Sequence, residues 1–319
     1  MSKLAFIFPG QASQYPGMGR DLAQKFPESR AVFDEADAAL GFSLSKMCFE
    51  GSEEELKLTE NTQPAILTVS VAAQRALASR GIAPDFAAGH SLGEYSALVA
   101  AGALEFSTAV KIVRQRGRYM QEAVPAGEGA MAAIMGLSVA DVAEVCKKAA
   151  QGEVVSPANL NSPEQVVISG AAAAVKRAVE IASQSGAKRA VMLSVSAPFH
   201  CALMAPAQQR LEPDLRAAAF SSLHFPVITN VDAETVIAGE EARDALIRQV
   251  TLPVRWLDSI HEMIEQGVTI FVEVGPGKVL AGLLRQIDRS VRCFGVEDSA
   301  SLQATLDKIV AARAETAEA

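Results

Sequence analysis

Between Pro84 and Gly102 the chain sets a buried strand, a sharp corner and a helix in immediate succession, and few architectures accept that order. Pro84 and Asp85 lead into Phe86-Ala87-Ala88, which reads as the end of an apolar strand. Gly89-His90-Ser91-Leu92-Gly93 follows. From Leu92 the pattern of Glu94, Tyr95, Ala97, Leu98, Ala100 and Ala101 reads as a helix stopped by Gly102. In a Gly-x-Ser-x-Gly corner the serine hydroxyl projects outward, while the helix N-terminus favours developing negative charge. The flanking glycines permit tight backbone and close approach of other segments. The same residues also fit an ordinary strand-to-helix turn, so Ser91 is a candidate nucleophile that needs partners.

The rest of the chain repeats the alternation. Leu4 to Phe8 has the continuous apolar character of a strand covered on both faces. Helical patterns over 18–40, 62–80 and 106–122 frame the corner, the rhythm of an α/β domain with a parallel sheet. After Pro125-Ala126-Gly127 the order changes. Strands are predicted over 129–135, 154–159, 165–169 and 188–195, the middle pair separated by Asn161-Ser162-Pro163. Helices are predicted from Ser138, with Asp141 as an acidic capping-box partner, and over 171–184. Strand, helix, strand, strand, helix, strand is the ferredoxin-like pattern. The expected organisation is therefore a small subdomain over 126–197 inserted into a larger one formed by 1–125 and 198–319. Strands over 223–229, 268–274 and 291–296 and a final helix complete the larger part. The alanine- and glutamate-rich end, 311–319, is expected to fray.

Composition excludes several function classes. The 319 residues are long enough for a substantial core, and the net charge of −8 argues against nucleic acid, which needs a basic face. Cys48, Cys146, Cys201 and Cys293 are scattered without a Cys-x-x-Cys pair, as in reduced cytoplasmic proteins without a disulfide framework or zinc site. Cys201 adjoins His200, but adjacent side chains rarely converge, so it reads as a buried structural thiol. The apolar runs at 4–8 and 97–104 are too short for an export signal or a membrane span.

A serine hydroxyl needs a base to take its proton. Of the four histidines, His90 is fixed beside the serine and points elsewhere, His261 reads as a partly buried packing residue in a helix, and His224 begins a strand. His200 follows Ala197-Pro198-Phe199 at the return from the small subdomain, where a loop can overhang the corner; a surface-loop histidine is the alternative. Arg116 falls on the apolar stripe of Ala109, Ile112, Val113, Met120 and Ala123, with Arg114 and Arg118 on the opposite, solvated face. A buried guanidinium needs an anion, supplied by either a protein carboxylate or a substrate carboxylate. The loop Phe8 to Gln14 leaves the first strand at the sheet edge where ligands bind, and its N–H groups could complete an oxyanion hole with that of Leu92.

The chain resembles the malonyl-CoA:acyl carrier protein transacylases over nearly its whole length. The resemblance rests on Phe8-Pro9-Gly10-Gln11-Ala12-Ser13-Gln14, Thr62-Gln63-Pro64-Ala65, Gly89 to Tyr95 and Gln115-Arg116-Gly117. It continues through Asn159-Leu160-Asn161-Ser162-Pro163, Ala197-Pro198-Phe199-His200 and Glu273-Val274-Gly275-Pro276-Gly277. Ala12 stands where the family often has glycine, a change expected to matter little. The resemblance implies an α/β-hydrolase-like large subdomain carrying Ser91 as nucleophile and His200 as base, with Gln11 and Leu92 N–H groups as the oxyanion hole. It further implies Arg116 as carboxylate clamp, a backbone carbonyl at Gln249 orienting His200, and Gln63, Asn159 and Asn161 lining the cleft. Phe199 resembles the form associated with malonyl rather than methylmalonyl units. The substrates would be malonyl-CoA and the phosphopantetheine arm of acyl carrier protein, with no bound cofactor or metal, in a cytoplasmic monomer serving fatty-acid synthesis. A trans-acting polyketide acyltransferase and a serine thioesterase or esterase are the rival readings. Carrier docking would need a basic patch, with Lys188, Arg189, Lys278, Arg285, Arg289 and Arg292 as candidates.

Overall fold

The computed structural model describes residues 3–195 and 197–318, by backbone alone from 313 onward. Strand β1 (Lys3–Phe8) is buried almost throughout, as its unbroken apolar run predicts. Helices α1 (Arg20–Lys25), α2 (Pro27–Leu40), α3 (Leu44–Glu50), α4 (Glu53–Lys57) and α5 (Thr59–Ala78) follow. The single helix expected over 18–40 is two. Pro27 occupies the first turn of α2 and drives Phe26 into extended backbone (φ −127°, ψ 115°), which ends α1. The short helices α3 and α4 were not expected; Ser43 and Ser52 cap them, the second in a reciprocal capping box with Glu55.

Strand β2 (Phe86–Gly89), α6 (Leu92–Ala100) and α7 (Phe106–Glu122) come next. Then the chain builds β3 (Gly129–Met135), α8 (Val139–Ala150), β4 (Val155–Ser162), β5 (Gln165–Ala171), α9 (Ala172–Gln184) and β6 (Arg189–Met192). These strands form a separate antiparallel sheet in the order β4-β5-β3-β6, the ferredoxin-like order. At α8 the Ser138 hydroxyl accepts from the Asp141 N–H and donates to its carboxylate, so Asp141 does not close a reciprocal box. Asn161 and Ser162, expected in a turn, belong to β4. Two register shifts let these polar residues stay in the ladder, and only Pro163 and Glu164 turn the chain.

The chain then returns through α10 (Ala205–Ala217), β7 (Val227–Ile228), β8 (Thr235–Val236), α11 (Gly239–Gln249) and α12 (Trp256–Glu265). Strand β9 (Val268–Val274), α13 (Val279–Ile287), β10 (Arg292–Val296) and α14 (Ser299–Glu318) finish it. The six-stranded sheet runs β10-β9-β1-β2-β7-β8, with parallel pairing except between β7 and β8. The strand expected over 223–229 shrinks to Val227–Ile228, because Pro226 lacks an N–H and the His224 N–H goes to Ala101 O instead. Where fraying was expected from Ala311, helical backbone continues to Glu318; Ala319 lies outside the described residues.

Strand β4 is tied to the segment just before α12 by a parallel bridge between Asn159 and Val254, with Leu160 N–H donating to Val254 O at 2.9 Å. That seam brings β4 over the C-terminal ends of β1 and β2, where the candidate residues gather.

Candidate active site

The corner after β2 is as tight as its glycines predict. A Cβ at Gly89 would lie 1.8 Å from the Gly93 carbonyl carbon, and one at Gly93 would lie 2.0 Å from Phe8 O. Ser91 itself sits at φ 52°, ψ −105°, a conformation that L-residues with side chains rarely adopt. Among the described residues, positive φ outside glycine occurs at Ala12, Ser91, Gln151, His200 and Ala233, and the first, second and fourth of these line one cavity. Strain therefore concentrates at the site. It makes Ala12 more consequential than the sequence implied, since an L-side chain occupies a glycine conformation (φ 84°) beside Gln11.

Neighbouring amides hold the strained corner in place. Asn230 Oδ1 accepts the Ser91 N–H at 2.7 Å, Asn230 Nδ2 donates to Gly89 O at 2.7 Å, and Gln249 Nε2 donates to Ser91 O at 3.0 Å. His200 Nε2 lies 2.7 Å from Ser91 Oγ, and His200 Nδ1 lies 2.8 Å from Gln249 O. A carbonyl can only accept, so Nδ1 carries the hydrogen and Nε2 is left to accept the serine hydroxyl proton. Burial, with the Arg116 cation nearby, lowers the His200 pKa to about 3, so the imidazole is neutral around pH 7.

Arg116 is 2% exposed, on the buried face of α7. Its Nη1 donates to Gln63 Oε1 (2.8 Å), and its Nη2 donates to Gln249 Oε1 (2.9 Å) and Ser91 Oγ (3.1 Å). Its Nε has no partner, and among the described residues no carboxylate lies within ion-pair distance. Of the two anions left open by the sequence, the protein carboxylate is not found on Arg116 among the described residues. The ionisable groups that act on it are the Tyr95 phenol and, after it, the carboxyl of Glu94, 1% exposed, which burial raises to about 7. Arg114 departs from expectation: it is half-buried and stacks on Phe42, 4.1 Å from the ring centre.

A cavity of about 930 Å³ lies over this cluster. Nine of the ten catalytic and acyl-binding residues expected from the sequence line it (Gln11, Gln63, Ser91, Leu92, Arg116, Asn159, Asn161, Phe199 and His200), and the tenth, Gln249, is wholly buried behind. Among the described residues the N–H groups of Gln11 and Leu92 have no hydrogen-bond partner, and Leu92 opens α6. Asn161 Oδ1 meets His90 Nε2 at 2.9 Å, so that histidine is turned away from Ser91. Cys201 is buried, with its thiol donating to Pro198 O. His261 is exposed rather than packed, on the outer face of α12. Sequence reasoning assigned no role to Glu94 or Asn230. Glu94 carried a signal, a lone carboxylate among the apolar residues of α6; Asn230 carried none. No metal-binding cluster and no helix long and apolar enough to cross a membrane occur among the described residues.

The geometry sets a serine hydroxyl, a neutral imidazole and a buried guanidinium together at one cavity. Residues 5–311 match the model of the family described as acyl transferase domain. The chain belongs to the acyl transferase family. This acyl transferase is 49% identical over 310 residues to the malonyl CoA-acyl carrier protein transacylase of Bacillus subtilis, covering 97% of this chain and 98% of that one. It is equally similar to the transacylase of Escherichia coli K12 (49% over 308 residues, 96% and 100% covered). Its structure superposes on the transacylase of Coxiella burnetii with a TM-score of 0.94 at 46% identity, over 96% and 97% of the two chains. A type II PKS acyl-carrier protein in complex with its malonyl-transacylase offers a similar match, TM-score 0.94 at 47% identity over 96% and 100%.

Proposed function

We propose that this acyl transferase moves the malonyl group of malonyl-CoA to the phosphopantetheine thiol of acyl carrier protein through a malonyl-Ser91 intermediate, supplying fatty-acid elongation. Relatives of that name at 49% identity over nearly the full chain support the reading. One observation carries the choice of acyl group: a buried arginine, 3.1 Å from the Ser91 hydroxyl oxygen, with no carboxylate paired to it among the described residues. A thioesterase for uncharged acyl groups has no use for such a cation, whereas the malonyl carboxylate matches its planar fork.

In the first half-reaction Ser91 Oγ attacks the thioester carbonyl as His200 Nε2 takes the hydroxyl proton. The oxyanion is held by the N–H groups of Gln11 and Leu92, the latter at the positive end of α6. The carbonyl reforms, the C–S bond breaks, and His200 returns the proton to the coenzyme A thiolate. The second half runs in reverse order of roles. The phosphopantetheine thiol gives its proton to His200 and attacks the malonyl ester, and Ser91 leaves as an alkoxide reprotonated by His200. Gln249 O holds the imidazole in the tautomer both halves require. Gln63, Asn159, Asn161 and Phe199 shape the wall of the cavity around the acyl group, and no bound cofactor or metal takes part.

The carrier would meet a local basic surface, since both proteins are acidic. Lys278, Arg285 and Arg289 share a groove of about 490 Å³ beside α13, while Lys188 and Arg189 lie at β6, Lys188 already paired with Glu164 at 2.6 Å. A cytoplasmic location fits the four free cysteines. The test is product analysis after mixing malonyl-CoA and holo acyl carrier protein. Malonyl-carrier formed in proportion to coenzyme A released supports the transferase; free malonate at the same rate with or without carrier overturns it. The PKS complex among the structural relatives favours a second carrier class, and comparing the two carriers as acceptors separates the pathways.

A further inference from the structure

Glu94 takes no part in the scheme above, yet it is buried in the first turn of α6, directly behind Ser91. Its Oε2 accepts from the Asn230 backbone N–H at 2.9 Å and from Gln249 Nε2 at 2.8 Å, while Oε1 has no partner among the described residues. Gln249 is where the site converges. Its backbone oxygen meets His200 Nδ1, its Oε1 accepts from Arg116 Nη2, and its Nε2 also donates to Ser91 O. A glutamine amide is nearly symmetric in shape, so packing does not choose between this orientation and the flipped one. Hydrogen bonding does. Flipped, Oε1 would face a carboxyl and a carbonyl oxygen, and the NH₂ would face a guanidinium that can only donate.

We propose that Glu94 is a positioning residue for malonyl transfer, its Oε2 locking the Gln249 amide with the oxygen toward Arg116. The lock keeps the Arg116 fork aimed into the cavity, where the malonyl carboxylate binds. A proton on Oε1 leaves Oε2 an acceptor, so the lock holds on both sides of the Glu94 titration. The inference rests on the carboxylate-clamp reading of Arg116, and an acetyl group, lacking that carboxylate, should be far less sensitive to it.

The experiment compares malonyl and acetyl transfer from their coenzyme A thioesters to holo acyl carrier protein. It uses wild type, Arg116→Ala, Glu94→Gln, Glu94→Asp and Glu94→Leu, with thermal unfolding of each. Glu94→Gln keeps an acceptor oxygen at the same reach and should hold the malonyl-to-acetyl ratio of kcat/KM within about threefold. Glu94→Asp, which withdraws the acceptor by one methylene, and Glu94→Leu, which removes it, should each lower that ratio about tenfold, mainly through KM for malonyl-CoA. The Asp variant carries the test if the Leu variant does not fold. A folded Asp variant with the wild-type ratio, or an equal fall in the Gln variant, overturns the role of Glu94. If wild type and Arg116→Ala share one ratio, the clamp reading itself has failed, a different result from an intact clamp indifferent to Glu94.

Discussion

Two strand-to-helix corners stand one strand apart on the same edge of the large sheet, β2 to α6 and β9 to α13, and they are built to opposite ends. At the second, glycines take the unusual angles: Gly275 at φ 135° and Gly277 at φ 82°. The carboxylate of Glu273 then closes the helix, Oε1 accepting the Leu280 N–H at 3.0 Å and Oε2 the Ala281 N–H at 2.8 Å. At the first corner a serine takes the unusual angle, and the Leu92 N–H at the helix start has no partner among the described residues. Both helix N-termini attract an anion. One is filled by the protein's own carboxylate and contributes to the fold. The other is left open, in the proposed reaction for a transient oxyanion, and the surrounding amides of Asn230 and Gln249 hold its strain, a cost of about 1–3 kcal/mol.

The widest separation between the corners should come from Arg116→Ala. Losing the cation beside the open corner should lower kcat/KM for malonyl-CoA by about a hundredfold, or roughly 3 kcal/mol, with acetyl-CoA changed much less. Equal losses with both donors would dissolve the contrast. At the filled corner, Glu273→Ala leaves two buried N–H groups unpaired and should cost about 2–3 kcal/mol in urea unfolding at pH 5. Its effect on turnover of the folded enzyme should be smaller than its effect on stability. An unchanged unfolding midpoint would mean that the carboxylate is not what holds α13.

The same residue makes a pH prediction. Burial raises Glu273 from its ordinary 4.5 to about 7, so the folded state binds its proton more tightly than the unfolded chain. The stability it contributes is present in full below about pH 4.5 and lost as pH rises through 7. Relative to Glu273→Gln, wild type should therefore lose on the order of 2 kcal/mol between those limits, read from unfolding curves across the range. A difference that grows with pH instead would reverse the assignment. The smallest effect expected is at Ala12, next to the open corner. Ala12→Gly should stabilise the protein by about 0.5–1 kcal/mol by relieving its left-handed backbone; destabilisation would mean that φ 84° carries little strain there.

Much of this was legible in the sequence, for reasons the two corners make plain. Glycines that permit close approach and a serine between them form a local pattern, so β2, Ser91 and α6 could be read directly, and the helical period of α7 put Arg116 on its buried face. The split of α1 from α2 is also written locally, in Pro27. Other features depend on contacts far along the chain. Asn230 lies 139 residues from the Ser91 N–H it holds, and no period or spacing announces it. The shortening of β7 depends on the His224 N–H pairing with Ala101 O at the C-terminal end of α6, far back along the chain. His261 was misplaced because a helical apolar stripe defines a face only to within a residue or so, and this one falls just outside it.

The central claim, that the open corner carries an acyl group on Ser91, is tested most directly by intact-protein mass after brief mixing with malonyl-CoA, for wild type and Ser91→Ala, followed by a chase with holo acyl carrier protein. One malonyl adduct is expected on wild type, none on Ser91→Ala, with discharge of the adduct onto the carrier thiol. An adduct that persists on Ser91→Ala, or one that water removes as fast as the carrier does, would contradict that claim.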